Sequence, residues 1–362
     1  MSGPRPRPGI MDIKPYVGGE SAIVGRKKAI KLASNEGAFG PSPMAAAAYK
    51  KAAATLHRYP DGQATQLRRA IAARHGLDPE RIVCGAGSDE LLNLLCKAYA
   101  GPGDEVLYTE HGFLVYPIAA KAAGATPVKV AEKNLTADTD ALIARAGGKT
   151  RILFLANPNN PTGTYLDADE LARLRAGLPG DVLLVIDSAY AEFVTGNDYS
   201  PGIELVDRND NVVMTRTFSK IFGLGGLRLG WAYGPPSVID ALNRVRGPFN
   251  VSAPALAAGV AALEDVAFIA KARAHNATWR EWTREKLVAL GLDVPQSACN
   301  FVLVRFPATP GRDAAAADAF LKERGIIVRR VESYGLPDCL RVTIGLEEEM
   351  RAFAAAMKEF ME

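Results

Sequence analysis

A chain of 362 residues, 48% of them hydrophobic, can bury a large core, and its length suggests two domains. Its 43 Lys and Arg against 40 Asp and Glu leave a formal charge of +3, without the clustered basic face that nucleic-acid binding needs. Four scattered cysteines (Cys84, Cys96, Cys299, Cys339) with no CxxC pair, and four histidines without ligand spacing, indicate neither a disulfide framework nor a metal site.

The first nineteen residues carry Pro4, Pro6, Pro8 and Pro15 among several glycines and read as an extended arm. They hold no apolar core of a signal peptide, and no run of about eighteen apolar residues follows, so the expected compartment is the cytoplasm. From residue 42 helix and strand alternate. The Ala-rich stretch 44–56 and the stretch 65–75 read as helices, 81–84 as a short strand, and 89–99 as a helix whose Leu91, Leu92, Leu94 and Leu95 mark its buried side. The apolar runs 105–108, 126–130, 152–156, 182–186 and 212–215 follow, with helices at 113–123 and 167–176. Continuous rather than alternating apolar strands predict an α/β fold with a mostly parallel sheet covered by helices on both faces. Beyond residue 250 comes one long helical region, 254–290, with Trp279 and Trp282. Segments 301–305, 313–324 and 340–344 then predict a smaller α+β unit. The expected division is an arm at 1–35, a large domain at 36–248 and a small domain at 249–362.

Three segments carry candidate chemistry. Residues 157–163 read Asn-Pro-Asn-Asn-Pro-Thr-Gly directly after the strand at 152–156. In α/β sheets ligands bind outside the carboxyl ends of strands, so this turn faces a site, although Asn, Pro and Gly also make plain turns. The strand at 182–186 ends in Asp187, with Tyr190 three residues on; an isolated Asp there also reads as a cap. Thr217-Phe218-Ser219-Lys220 follows the strand at 212–215. The apolar Ile221 and Phe222 beside Lys220 would lower its pKa and expose a neutral, nucleophilic amine. The glycines at 223–230 are not a dinucleotide fingerprint, because Arg228 stands where its third glycine is required.

In this order Asn-Pro-Thr-Gly, Asp-x-x-Tyr, Ser-Lys and a downstream Arg resemble the fold-type I pyridoxal-phosphate enzymes, the aspartate aminotransferase superfamily, over essentially the whole chain. The resemblance implies that Lys220 binds pyridoxal 5'-phosphate as a Schiff base and then serves as the proton-transfer base. It pairs Asp187 with the pyridinium nitrogen and sets Asn160 and Tyr190 at the ring's 3-oxygen. Ser219, Arg228 and the backbone amides of Gly87, Ser88 and Asp89 become phosphate ligands; a helix N-terminus favours an anion, and Arg can grip phosphate through two hydrogen bonds. Phe113 falls where the family stacks an aromatic ring on the pyridine, a position a core Phe would also fill.

Further segments resemble the histidinol-phosphate aminotransferases. These are Pro15-Tyr16-Val17-Gly18-Gly19, Ala33-Ser34-Asn35-Glu36 with Phe39-Gly40-Pro41, and Arg58-Tyr59-Pro60-Asp61. Ile326-Ile327-Val328-Arg329 and Cys339-Leu340-Arg341 complete the set. The resemblance implies substrate binding by Tyr16, Asn35, Arg329 and Arg341, with Arg341 on the carboxylate of glutamate and Arg329 on a phosphate. It implies a homodimer in which Tyr59 reaches the partner's cofactor phosphate. The reaction implied converts L-histidinol phosphate and 2-oxoglutarate to imidazole-acetol phosphate and L-glutamate. Aromatic-amino-acid aminotransferases share most of these motifs, and threonine-phosphate decarboxylases are similar in using the same lysine and binding a phosphorylated substrate. A non-catalytic regulator on the same fold would carry an added DNA-binding domain, for which residues 1–35 are too short.

Overall fold

The computed structural model describes residues 3–26 and 28–362. Seven strands form the central sheet: β1 (Ile82–Gly85), β2 (Glu105–Thr109), β3 (Thr126–Val130), β4 (Thr150–Ala156), β5 (Leu183–Asp187), β6 (Val212–Thr217) and β7 (Gly230–Tyr233). Their spatial order is β1-β7-β6-β5-β4-β2-β3, with β7 antiparallel to both neighbours and the other pairs parallel. This is the mostly parallel, helix-covered sheet that the apolar runs predict.

The strands are apolar throughout because both faces are covered. Successive residues of a strand point to opposite faces. Leu153 and Leu155 of β4, with Leu184 and Ile186 of β5, therefore join one core. Ile152 and Phe154, with Leu183 and Val185, join the other. The first core is closed by α1 (Pro43–Ala52), α2 (Thr65–His75), α5 (Thr139–Arg145), α6 (Ala168–Gly177), α7 (Ile203–Arg208) and α9 (Ala253–Glu264), through residues such as Leu67, Leu174 and Ala258. The second is closed by α3 (Ser88–Tyr99), α4 (Val115–Ala123) and α8 (Pro236–Val245), through Leu91, Tyr116 and Leu242. Each fully buried Leu or Val in these layers contributes about 1.5–3 kcal/mol of transfer free energy.

The C-terminal layer is an antiparallel sheet of β8 (Phe301–Arg305), β9 (Arg329–Val331) and β10 (Leu336–Thr343), in the order β8-β10-β9. It packs with α10 (Val266–Ala289), α11 (Ala314–Glu323) and α12 (Glu347–Met361) around Leu287, Leu321, Val342 and Phe353. Leu32 lies in the same core, because Ile30 and Lys31 pair in parallel with Ile326 and Ile327. The long helical region at 254–290 is two helices rather than one. α9 and α10 meet at 76°, and Asp265 caps α10 by accepting the amide N–H of Phe268 at 3.1 Å. A side-chain oxygen that satisfies a first-turn N–H starts a new helix. No single helix among the described residues is long and apolar enough to cross a membrane; only α9 and α10 taken together, bent as they are, reach that composition.

Of the arm, residues 3–19 are largely exposed and irregular, with one 3-10 turn at Ile10–Asp12. The arm is tied to the body rather than free. Arg7 donates to the carbonyl of Ala122, Lys121 to that of Asp12, and Arg329 to those of Val17 and Gly18 at 2.7 and 2.6 Å.

Candidate active site

Registry across the sheet builds the floor of the site. Ala156, Asp187 and Thr215 lie side by side at the carboxyl ends of β4, β5 and β6. There a cavity of about 320 Å³ opens between the large sheet and the C-terminal layer. Such volumes suit a small organic ligand, and strand carboxyl ends are where α/β folds place one.

Thirteen of the sequence-predicted residues line this cavity: Tyr16, Asn35, Ser88, Asp89, Phe113, Asn160, Asp187, Tyr190, Ser219, Lys220, Arg228, Arg329 and Arg341. Gly87 stands behind them. A Cβ added there would meet Nη2 of Arg228 at 2.3 Å, and its φ of 84° is one that L side chains rarely adopt. Tyr59 is not in the cavity; it is 83% exposed and stacks on Phe249, with ring centroids 4.7 Å apart.

Lys220 lines the cavity with a buried amine. Burial lowers its pKa to about 8, helped by the positive charge of Arg341. Its Nζ lies 5.6 Å from the centroid of the Tyr190 ring. Asp187 shows the converse effect: burial raises its carboxyl to about 6 against the hydrogen bonds it accepts. The phenol of Tyr116 donates to Oδ2 at 2.8 Å, and the hydroxyl of Thr215 lies 3.4 Å from Oδ1. A buried carboxylate held this way favours a cationic partner in the cavity.

Arg341 enters from β10. It donates to Oδ1 of Asn160 and to the carbonyl of Ala33, with Phe301 5.4 Å beneath its guanidinium, while its buried Nε has no protein partner. Arg228 emerges from a left-handed residue (φ 53°) and donates to Ser219 Oγ at 3.3 Å and to Asp89 at 3.1 Å. Its guanidinium thus sits beside the first turn of α3, where Gly230 allows close packing: a Cβ there would meet the Ser88 nitrogen at 2.3 Å. Tyr16 meets Phe113 edge-on, centroids 6.4 Å apart, and the two form an aromatic wall.

Asn35 lies in the cavity wall, but its side chain is engaged by protein. It donates to the Tyr190 hydroxyl at 2.7 Å and accepts from Thr343 at 3.2 Å. Sequence reasoning missed Tyr116, Thr215 and the cavity-lining Glu36 and Thr217. Tyr116 carried a usable signal, since it stands three residues after Phe113, a spacing that puts both on one face of a helix start.

A nucleophilic amine, a buried carboxylate, an arginine beside a helix N-terminus and two further arginines can together hold an aromatic, phosphorylated carbonyl compound and exchange anionic amines upon it. The chain matches the model for "Aminotransferase class I and II" over residues 27–357. It is 64% identical to histidinol-phosphate aminotransferase of Paramagnetospirillum magneticum over 361 residues, covering 100% of this chain and 99% of that one. With the enzyme of that name from Rhodospirillum centenum the identity is 63%, with the same coverage. A crystal structure of histidinol-phosphate aminotransferase from Sinorhizobium meliloti, in complex with pyridoxal-5'-phosphate, superimposes with a TM-score of 0.91 at 31% identity, covering 99% of this chain and 98% of that one. The chain belongs to the histidinol-phosphate aminotransferases, within the class I and II aminotransferases.

Proposed function

We propose that this protein moves the amino group of L-histidinol phosphate to 2-oxoglutarate, with pyridoxal 5'-phosphate held at Lys220. The observation that carries the reading is the placement of Arg329 and Arg341 in the same cavity as Lys220. The amino donor bears a phosphate and no α-carboxylate, and the acceptor bears two carboxylates, so the site must receive unlike anions in turn. Arg presents a planar fork to either.

The residues fit the cofactor. Lys220 offers an amine with a pKa of about 8, and Asp187 offers a buried carboxylate in want of a cation. Arg228, Ser219 and the first turn of α3 offer donors for a phosphate. When bound, the group supplies an electron sink for the negative charge that develops at the substrate's α-carbon. Asp187 would hold the ring nitrogen protonated, the Tyr190 hydroxyl and Asn160 would donate to the ring oxygen, and Phe113 would pack against the ring. The amine of Lys220, kept in the same cavity, would carry the proton to and from the substrate's α-carbon, where effective concentration does much of the work. Arg341 binds the carboxylate of glutamate and Arg329 the substrate phosphate, while Tyr16 flanks the imidazole. Asn35 acts on substrate through Tyr190, which its amide orients.

A homodimer in the cytoplasm completes the reading. Tyr59 and Phe249 are stacked yet exposed, an aromatic pair that a second copy would cover while Tyr59 reaches the partner's phosphate site. For the domain division we propose a revision of the 36–248 and 249–362 limits. α9 shares the core of the large sheet, and Leu32 shares that of the C-terminal layer, so the small unit is better drawn from α10 onward with residues 30–33 added. The test is product analysis: enzyme with histidinol phosphate and 2-oxoglutarate yields glutamate stoichiometrically. Release of carbon dioxide from threonine phosphate, without glutamate formation, would make it a decarboxylase instead.

A further inference from the structure

Asp187 is the last residue of β5, and its side chain follows Leu183 and Val185 toward the face covered by α3, α4 and α8. Tyr116 comes up from α4 on that face. It is 1% exposed, its ring lies flat on Phe154 of β4 with centroids 4.8 Å apart and planes at 7°, and its hydroxyl is 2.8 Å from Asp187 Oδ2. The rings of Tyr108 and Phe113 also pack edge-on against it, with centroids 6.4 and 5.8 Å away, so the hydroxyl stays aimed at Asp187 even where one neighbour is trimmed. A phenol buried beside a carboxylate acts only as donor, because desolvation and the carboxylate's charge both oppose its ionisation, and its pKa is driven well up.

We infer that Tyr116 is a positioning residue for the reaction: its phenol holds Asp187 ionised and oriented so that the carboxylate can keep a bound cofactor ring protonated. The geometry divides the labour of the carboxylate. Oδ2 is engaged by Tyr116, and the Thr215 hydroxyl lies at the longer distance of 3.4 Å from Oδ1. The other groups that act on Asp187 are the backbone N–H of Ala189, which also donates, and Asp89 of α3, whose like charge opposes ionisation. Lys220, Arg228 and Tyr190 line the same cavity. Among the hydrogen bonds to Asp187, that of Tyr116 is the largest influence favouring the ionised form.

This inference rests on Asp187 being the partner of the ring nitrogen, and the experiment separates the two claims. The affinity of the folded apoprotein for pyridoxal 5'-phosphate is measured by equilibrium dialysis from pH 5 to 8.5, for the wild type, Tyr116→Phe, Phe154→Leu and Asp187→Asn. Ionisation of Asp187 strengthens binding, so wild-type affinity climbs as pH rises through the carboxyl's pKa. Removing the donor raises that pKa, so Tyr116→Phe moves the climb upward by about one pH unit and weakens binding about threefold near pH 6.5 and close to tenfold near pH 5. Phe154→Leu disturbs the stack but keeps the phenol; it lowers the melting temperature and leaves the midpoint in place. An unchanged midpoint in Tyr116→Phe, or an equal shift in Phe154→Leu, overturns the inference. An Asp187→Asn protein that binds as the wild type does would overturn the reading of Asp187 itself.

Discussion

Arg341 of β10 donates a hydrogen bond to the side-chain oxygen of Asn160, in the turn that follows β4, and so joins the C-terminal layer to the floor of the site. The pair sits over Phe301, away from water, where a charge-assisted hydrogen bond is strong and its loss is costly. Arg341→Ala should therefore raise the KM for glutamate by about a hundredfold, equivalent to roughly 3 kcal/mol. The half-reaction with histidinol phosphate should lose less. Arg329→Ala should show the reverse order, and steady-state kinetics with each donor checks both.

Lys220 should be indispensable for rate and for colour. Lys220→Ala protein is expected to lose the borohydride-fixable adduct with the cofactor and at least about a thousandfold in kcat, as removal of a general base does. The lowered pKa adds a pH signature. The neutral amine is the reactive form, so the apoprotein's reaction with an aldehyde should accelerate as pH rises to about 8 and level off above it. An ordinary exposed lysine would keep accelerating beyond pH 10.

Gly230 should tolerate no side chain. The atoms a Cβ would meet are backbone atoms of Gly87, Ser88 and Arg216, which cannot swing aside. Gly230→Ala should destabilise the protein by about 2–4 kcal/mol by denaturant unfolding and weaken cofactor binding, since the first turn of α3 must move.

The N-terminal arm should respond to substrate. It is held at Arg7, Asp12, Val17 and Gly18, and Tyr16 forms part of the cavity wall. Substrate binding should order residues 3–26 over the site as a lid and slow cleavage by chymotrypsin after Tyr16. Arg329→Ala, which removes both contacts to Val17 and Gly18, should speed cleavage even without substrate. Unchanged cleavage with substrate would count against closure.

The sheet was legible because its strands are buried on both faces: runs such as 152–156 are apolar throughout and end at polar residues that face the site. Lys220, Asp187 and Asn160 could be found because each follows such a strand within a few residues. Other features depend on which residues meet across the fold. Tyr116 gains its role only where α4 packs it against Phe154 and Asp187. Asn35 lines the cavity, and its amide meets Tyr190 and Thr343, residues more than 150 positions away. The break between α9 and α10 rests on the single cap of Asp265 inside an otherwise helical stretch. Tyr59 is exposed and does not line the cavity of its own chain.

The most direct test of the central claim is a stopped-flow half-reaction. Holoenzyme is mixed separately with L-histidinol phosphate, L-glutamate, L-phenylalanine and L-threonine phosphate while the visible absorbance of the lysine-bound cofactor is followed. Rapid loss of that band with histidinol phosphate and glutamate, and slow loss with the other two, is the predicted result. Equal or faster loss with phenylalanine would contradict it and make the protein a broad aromatic aminotransferase.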